Sequence, residues 1–401
     1  MGKCNKSNCE IAQKTAIFFM KNREYDGEMQ KGIDMAVTKC YPTDAIDCEM
    51  RSRNHPKINQ RPLPYQEKRR KEKLMSSKKT LRQILDASDK CFLVPCVYDC
   101  ASNHAVEMCG FPVSLLSGGE VSISRNGVID YGFTNLTDLE EVISRVATTS
   151  SIPLIADIED GFGGPLAVYR AAKRLSAAGA AAVQLEDSAD MEESTKILPR
   201  DKYMAKVRAA LEALDSTDCL LIARSNADPA DPEQMKEGCE RLQEAIDLGK
   251  ERGMYVLAMM VLVGNAEQAA EMAKIVTGPK IFADVRAYKG EDGHYHPSVT
   301  MDELTPLGFK MCSSHYTMKA AMEGMLEHGM ANFKDQSVAY SFETAPASGI
   351  ESFSASGMWD PQAYLALENK FTGGDKEYTI VGHQVEEYPE GFVRPDISER
   401  L

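Results

Sequence analysis

Acidic side chains and an arginine follow several apolar runs of this 401-residue chain, each at the point where a run ends. Asp157 and Glu159 lie two residues apart, so an extended strand would place both side chains on one face. Glu186 ends the next apolar run. Like charges this close must be protonated, solvated or bound to a cation. Because oxygen ligands without convergent His or Cys suit hard cations, the pattern predicts a Mg²⁺ or Mn²⁺ site.

A second group of residues is suited to binding an anion. Gly118 and Gly119 follow Ser117 at the end of a shorter apolar run, where glycines allow the backbone to approach a ligand and donate N–H groups to an oxyanion. Arg224 ends a further run and offers a planar fork for a second carboxylate. A cation beside an arginine and backbone donors predicts an anionic substrate that reacts through an enolate.

The elements that must position these residues alternate along the chain. Apolar runs, typical of strands covered on both faces, alternate with amphipathic helical stretches. The predicted strands are Cys91–Asp99, Val113–Ser117, Pro153–Glu159, Ala181–Asp187, Cys219–Asn226, Met254–Leu262, Lys280–Ala287 and Phe309–His315. Eight strand–helix units predict an α/β fold, a closed parallel (β/α)8 barrel of the TIM type whose active site lies at the carboxyl ends of the strands. A doubly wound open sheet is the competing architecture, disfavoured because no Gly-x-Gly-x-x-Gly follows the first strand.

Local signals predict where some helices begin and what they contact. Thr137 and Glu140 have the spacing of a capping box, and Pro165 and Gly179 bracket a helix over residues 166–178. Methionines between Met318 and Met325 have helical spacing and predict packing against the barrel.

Composition excludes several classes of protein. The chain has 60 acidic and 46 basic residues, a net charge of −14, which argues against a nucleic-acid binder. No apolar run approaches the ~20 residues that a membrane span needs. Eleven cysteines, an odd number, fit free thiols in a reducing compartment rather than a disulfide framework. We therefore predict a cytoplasmic protein that acts on a small molecule, with no nucleic-acid or membrane partner.

The two ends of the chain differ from its middle. Residues 51–79 contain eleven basic and two acidic side chains. This composition favours a solvated linker, with a localisation signal or an anion-docking patch as the alternative. The predicted organisation is an N-terminal extension over residues 1–78, a catalytic barrel over residues 79–333, and a C-terminal helix and tail over residues 334–401.

The motifs at the predicted strand ends resemble the isocitrate lyase and phosphoenolpyruvate mutase superfamily over residues 79–333. Asp157–Gly163 is similar to the superfamily's Asp-Ala-Asp-x-Gly-x-Gly metal motif and is the most specific match. The other matching segments are Val94–Asp99, Gly110–Pro112, Ser117–Gly119, Leu185–Asp187 and Ile222–Arg224.

The resemblance implies a set of ligands and an assembly. It implies Mg²⁺ held by Asp157, with Glu159 and Glu186 acting partly through water, and Asp130 as a further carboxylate if one residue is inserted before it. It implies a 2-oxo or 2-hydroxy carboxylate bound by Ser117, Gly118, Gly119 and Arg224. It also implies chemistry at a C–C or P–C bond, and a homotetramer, a dimer of dimers in which subunits exchange a C-terminal helix.

The sequence departs from the superfamily's motifs at two places, and these differences limit which reactions the resemblance supports. Glu159 replaces the second aspartate of the metal motif and is one methylene longer, and residues 187–196 contain no Cys-Gly-His segment and no mutase gating pattern. The leading hypothesis is a Mg²⁺-dependent lyase that cleaves or decarboxylates a small 2-oxo or 2-hydroxy di- or tricarboxylate, with Arg224, Ser117 and Glu186 as the catalytic residues. The alternatives are a phosphoenolpyruvate phosphomutase or phosphonopyruvate hydrolase, and a scaffold barrel without catalysis.

Three further features concern single residues or pairs, and two of them, Asp99 and His315, have two interpretations each. Asp99 either reaches the metal region or caps the next helix, and Asp284 and Arg286 are predicted to form an ion pair. His315 ends the eighth strand and either faces the site or is a satisfied histidine of the core or rim.

Overall fold

Eight parallel strands close into a barrel in this computed structural model, which describes residues 78–188, 197–343, 358–359, 361–375 and 392. The barrel strands are β1 (Phe92–Val97), β2 (Ser114–Leu116), β3 (Leu154–Asp157), β4 (Ala182–Glu186), β5 (Leu220–Ser225), β6 (Val256–Met260), β7 (Lys280–Phe282) and β10 (Phe309–Ser314). Neighbours pair in chain order, and β10 pairs with both β7 and β1. The (β/α)8 prediction is confirmed, and the open-sheet alternative is wrong.

Helices connect the barrel strands and surround them. They are α1 (Leu81–Ala87), α2 (Cys100–Met108), α3 (Gly118–Val121), α4 (Leu136–Thr149), α5 (Pro165–Ala177), α6 (Arg200–Leu214), α7 (Pro232–Glu251), α8 (Ala266–Ile275), α9 (Met301–Leu304), α10 (Thr317–Asp335), α11 (Ala339–Glu343) and α12 (Pro361–Thr372). A π-helical turn, Ser122–Asn126, follows α3. An antiparallel hairpin of β8 (Ala287–Lys289) and β9 (Tyr295–Pro297) follows β7.

The alternation of side chains along each strand sets the direction of the site residues. Ile155 packs in the cluster inside the barrel, whereas Leu154 and Ala156 pack in the layer between strands and helices. Asp157 lies two residues after Ile155, on the same face of the strand, and therefore points inward. By the same argument, Glu186 and Arg224 also point inward. Glu186 lies on the same strand face as Ala182, and Arg224 lies on the same strand face as Ile222. The α1 side chains Leu81 and Leu85 join the inner cluster.

The start of α4 differs from the prediction. The cap is Asn135, whose side chain accepts from the backbone N–H groups of Thr137 and Asp138, and Asp138 Oδ2 accepts from Asn135 N at 3.2 Å. The capping box therefore lies two residues earlier than Thr137, because an asparagine followed three residues later by aspartate serves the same purpose. Pro165 does begin α5, and Gly179 follows its end with a φ of 108°.

The methionine prediction for α10 is wrong. No side chain of α10 is buried within the described residues, and of the predicted methionines Met322 and Met325 are 44% and 61% exposed. The helical spacing placed these side chains together, but the described part of the chain contains nothing that covers them. The C-terminal part instead contacts α2, where Trp359 stacks on His104 with ring centroids 4.1 Å apart.

Other expectations concern what the described residues contain. All seven of their cysteines are free thiols. In the described part of the chain, no helix has the length and apolar character required to cross a bilayer. Almost all of the predicted basic linker and of the predicted extension lies outside the described residues, and the division into extension, barrel and tail stays a prediction.

Candidate active site

An arginine and two carboxylates meet at the carboxyl ends of three neighbouring strands. Arg224 Nη1 lies 3.3 Å from Asp157 Oδ2, and Arg224 Nη2 lies 2.8 Å from Glu186 Oε2. Glu186 and Arg224 are partners in the register between β4 and β5. Both carboxylates are buried, so the ion pairs form the floor of the barrel mouth, where adjacent strands bring three sequence-distant residues together.

Glu159 also contacts this floor, but from a loop and not from the strand on which it was predicted to lie. The strand ends at Asp157, and Glu159 follows in a loop with a positive φ of 50°. Its carboxylate nevertheless turns toward the floor, because a Cβ built on Gly118 would lie 2.0 Å from Glu159 Oε1. Asp157 Oδ1 accepts a hydrogen bond of 3.1 Å from Glu159 N. Gly118 is therefore required for this approach, since any side chain there would displace Glu159.

The remaining predicted residues lie at the same end of the barrel. A Cβ on Gly119 would lie 2.8 Å from Asp130 Oδ2, which places Asp130 beside the start of α3. Ser117 is the N-cap of α3, and its hydroxyl accepts from Glu120 N at 3.3 Å. The structure thus brings all eight predicted site residues to one mouth, although Ser117 in this arrangement caps a helix.

Burial and mutual repulsion perturb the acidity of the carboxylates. Burial raises the pKa of Asp157 to about 6, against the opposing effect of Arg224 and with a further increase from Glu186. Burial, followed by the charges of Asp157 and Glu186, raises the pKa of Glu159 well above its ordinary value. The pKa of Asp130 is also raised, chiefly by burial. One guanidinium is therefore insufficient to balance four carboxylates, and the cluster would be relieved by a cation.

The donor set suits Mg²⁺ or Mn²⁺. In the described part of the chain, no three His, Cys, Asp or Glu side chains are close enough together to form a ready-made ligand cage. Mg²⁺ typically keeps several of its waters and uses only one or two carboxylates together with substrate oxygens. An all-oxygen cluster in which Asp157 and Glu186 are buried, and in which the pKa values of Asp157, Glu159 and Asp130 are raised, fits that mode of binding. Asp157 would hold the ion, with Glu159, Glu186 and Asp130 reaching it directly or through water.

A histidine that the sequence left undecided lies at the rim. His315 Nδ1 is 3.2 Å from Glu120 Oε1, and His315 Nε2 is 3.4 Å from Cys96 Sγ. The hydrogen bond that His315 donates to the Glu120 carboxylate raises the pKa of His315, although burial opposes it. The imidazole is 42% exposed, so it is a rim residue open to solvent. Glu120 was not predicted, because a single glutamate 195 positions away carries no signal of this pairing.

Asn226 was also not predicted, although it follows a predicted site residue closely. Its Oδ1 accepts from Arg224 Nε at 3.2 Å, and its Nδ2 donates to Glu186 Oε2 at 3.3 Å. Asp187 accepts from Asn226 N at 2.8 Å and pairs with the buried Arg241 at 2.9 Å. Asp187 therefore points away from the mouth and orients the strand end that carries Arg224.

The other undecided residues have structural roles. Asp99 caps α2, where Asp99 Oδ1 accepts from Ser102 N at 2.7 Å, so the capping interpretation is confirmed. Asp284 pairs with Arg286 at 3.1 Å, as predicted.

A comparison with protein families agrees with this geometry. The model of the phosphoenolpyruvate phosphomutase family matches residues 81–332, which include the complete barrel. The chain belongs to this family. The resemblance drawn from the strand-end motifs is therefore confirmed.

Curated relatives of this chain have names that refer to oxaloacetate. The chain is 33% identical over 159 residues to an oxaloacetate decarboxylase of Chromohalobacter salexigens, covering 39% of this chain and 55% of that protein. It is 30% identical over 202 residues to an oxaloacetate decarboxylase of Pseudomonas putida strain GB-1, covering 49% of this chain and 67% of the relative. This chain thus spans little more than half the length of the first of these relatives.

A solved structure extends the similarity over more of the chain. The structure of an oxaloacetate acetylhydrolase has a TM-score of 0.60 and 25% identity, and covers 75% of this chain and 99% of its own. The same kind of enzyme has been solved with its product oxalate.

Proposed function

We propose that this protein is a Mg²⁺-dependent carbon–carbon lyase that decarboxylates oxaloacetate or a close 2-oxo dicarboxylate. The observation that carries the proposal is the convergence of Asp157, Glu159 and Glu186 with Arg224 at the barrel mouth. The names of the relatives, oxaloacetate decarboxylase and oxaloacetate acetylhydrolase, support the substrate class.

The proposed reaction breaks the bond between C3 and C4 of oxaloacetate. The C4 carboxylate leaves as CO₂, and the bonding electrons pass to the C2 carbonyl, which becomes an enolate oxygen. Bound Mg²⁺ would supply positive charge for this oxygen. Arg224 adds a second positive charge that Glu186 and Asn226 hold in a fixed orientation. Ser117, Gly118 and Gly119 orient the C1 carboxylate.

His315 is our candidate for the group that protonates C3 of the enolate. The residues 187–196 provide no cysteine for this purpose, whereas His315 is solvent-accessible and held by Glu120. Glu120 favours the charged imidazolium, which is the form able to donate a proton.

The first experiment measures pyruvate and CO₂ release from oxaloacetate with Mg²⁺, with excess EDTA, and after Mg²⁺ is restored. We expect turnover to stop with EDTA and to return with the ion. The D157A protein serves as the blank, because free metal ions also promote this decarboxylation. Equal turnover with and without EDTA would contradict the proposal. Oxalate and acetate as products would indicate hydrolytic cleavage instead.

The second candidate function is phosphonate chemistry, because the matching family is described as phosphoenolpyruvate phosphomutase. Phosphorus NMR with phosphonopyruvate tests it directly, because loss of the P–C resonance would show cleavage or transfer of that bond. The scaffold hypothesis is less favoured, because a barrel without catalysis has no need for three carboxylates that converge with an arginine at its mouth.

The pH dependence of the reaction tests the role of His315. A proton donor is active below its pKa, so kcat/KM should fall as pH rises through the pKa of His315. Because Glu120 raises this pKa, E120Q should move the fall to lower pH, and H315Q should remove it. The charged or titratable groups that face His315 are Glu120, Cys96, Asp284, Asp157 and Asp130. An unchanged profile in both variants would exclude His315 as the donor.

The assembly and the location are part of the proposal. We propose a homotetramer, a dimer of dimers, because the apolar side chains of α10 are exposed in a single subunit. Free thiols at all seven described cysteines support a cytoplasmic location.

A further inference from the structure

The loop that follows β3 has a costly backbone conformation. Four of its residues have positive φ, namely Glu159 at 50°, Gly161 at 84°, Phe162 at 62° and Gly163 at 136°. Glu159 and Phe162 have side chains, and residues with side chains rarely adopt this conformation. Such a conformation persists only where surrounding contacts hold it. The fold must therefore contain a group that fixes this loop.

Lys206 of α6 holds the loop from outside the barrel. Its Nζ donates to Asp160 O at 2.8 Å and lies 3.0 Å from Asp160 Oδ2. The residue is only 7% exposed. Asp160 Oδ1 in turn accepts from Phe162 N at 2.8 Å. One buried ammonium thus holds both the backbone and the side chain of Asp160, and through that side chain it restrains Phe162.

The contacts on the other side of Glu159 complete the restraint. Glu159 O accepts from Glu186 N at 3.0 Å, and Glu159 N donates to Asp157 Oδ1 at 3.1 Å. The carbonyl of Glu159 is therefore held by β4, and the carbonyl of the following residue is held by Lys206. Without the ammonium, the loop could relax toward negative φ and carry the Glu159 carboxylate away from Asp157.

We propose that Lys206 is a positioning residue that sets the affinity for the divalent ion by fixing Glu159. Within the described residues, the hydrogen bonds and the ion pair of the Lys206 ammonium are with Asp160. The inference rests on the proposed function only in taking Asp157 and Glu159 as metal ligands. Residues that orient metal ligands without contacting the metal typically contribute about 10- to 100-fold to affinity.

The test is a titration of the purified protein with Mn²⁺, followed by electron paramagnetic resonance of the free ion. We expect K206M to raise the Kd by about 10-fold or more, and K206R to recover most of the affinity. The matched control is K280M. Lys280 is also buried, at 2% exposed, and also donates to backbone carbonyls, Val276 O at 2.9 Å and Gly278 O at 3.0 Å. It lies at the start of β7, at the opposite end of the barrel, so K280M should bind Mn²⁺ as the parent does.

The outcomes separate the inference from the proposed function. If D157A and E159Q weaken Mn²⁺ binding but K206M binds as tightly as the parent, the inference is wrong and the metal site stands. If D157A, E159Q and K206M all bind as tightly as the parent, the metal site itself is wrong. If K206M fails to fold, K206Q replaces it in the same titration, because glutamine keeps a donor for the carbonyl of Asp160.

Discussion

Replacement of Asp157 by alanine should abolish metal-dependent turnover of oxaloacetate. A metal that stabilises charge in a transition state contributes several kcal/mol, and each ~1.4 kcal/mol is tenfold in rate, so we expect kcat/KM to fall by about 10³-fold or more. Asp157 is buried on the floor of the mouth and contacts Arg224, so alanine also frees one of the guanidinium's partners. The measurement is steady-state decarboxylation over a range of Mg²⁺ concentrations.

A carboxylate of the same type, far from the mouth, provides the control. Asp86 pairs with Arg82 on the exposed face of α1. The opposite, buried face of this helix packs on the inner cluster beneath the site, so Asp86 itself does not contact the mouth. D86A should therefore keep the parent rate. D157A with more than one tenth of the parent kcat/KM would show that Asp157 is not the principal ligand.

The same position gives a stability signature in the absence of metal. The folded-state pKa of Asp157, about 6, lies above its ordinary value of 3.8, so its charge lowers the free energy of unfolding as pH rises through this interval. D157N removes that charge and keeps the shape of the side chain. Thermal unfolding in EDTA at pH 8 should therefore show D157N to be more stable than the parent.

The direction of the site residues could be predicted from strand periodicity. Asp157, Glu186 and Arg224 each lie an even number of positions from an inward-facing apolar residue, and the closed barrel then placed them at one mouth. Glu159 reached the predicted position by a different route. The two-residue spacing predicted a shared strand face, but β3 ends at Asp157, and a loop with positive φ values delivers the carboxylate.

Other parts of the site depend on contacts that no local pattern contains. His315 and Glu120 contact each other only because β10 pairs with β1 and closes the barrel. This pairing brings the last barrel strand in the sequence next to the first. Lys206 is one of many lysines on amphipathic helices, and its burial follows from the close packing of α6 behind the loop. The methionines of α10 had the correct periodicity, but periodicity does not identify the surface that covers a helix face.

Replacement of Arg224 by lysine should also lower activity strongly, although the charge is kept and the loss is smaller than that expected for D157A. The guanidinium places three nitrogens on three partners at once: Nη1 on Asp157, Nη2 on Glu186 and Nε on Asn226. An ammonium is a single point donor and cannot hold this planar arrangement. We expect kcat/KM to fall by about 10²-fold, because small errors in the position of a reacting group carry costs of that size.

The comparison of two substitutions separates charge from geometry. R224M removes both charge and hydrogen bonds, and takes away the guanidinium that pairs with the buried Asp157 and Glu186, so its loss should exceed that of R224K. R286K is the control, because Arg286 is an exposed arginine of the same barrel end whose carboxylate partner is Asp284. If R224K kept the parent kcat/KM while R224M lost it, positive charge alone would suffice. If R224K falls as expected and R286K does not, the catalytic contribution of Arg224 lies in the fork that joins the two carboxylates, and the substrate must bind to an arginine already fixed in orientation.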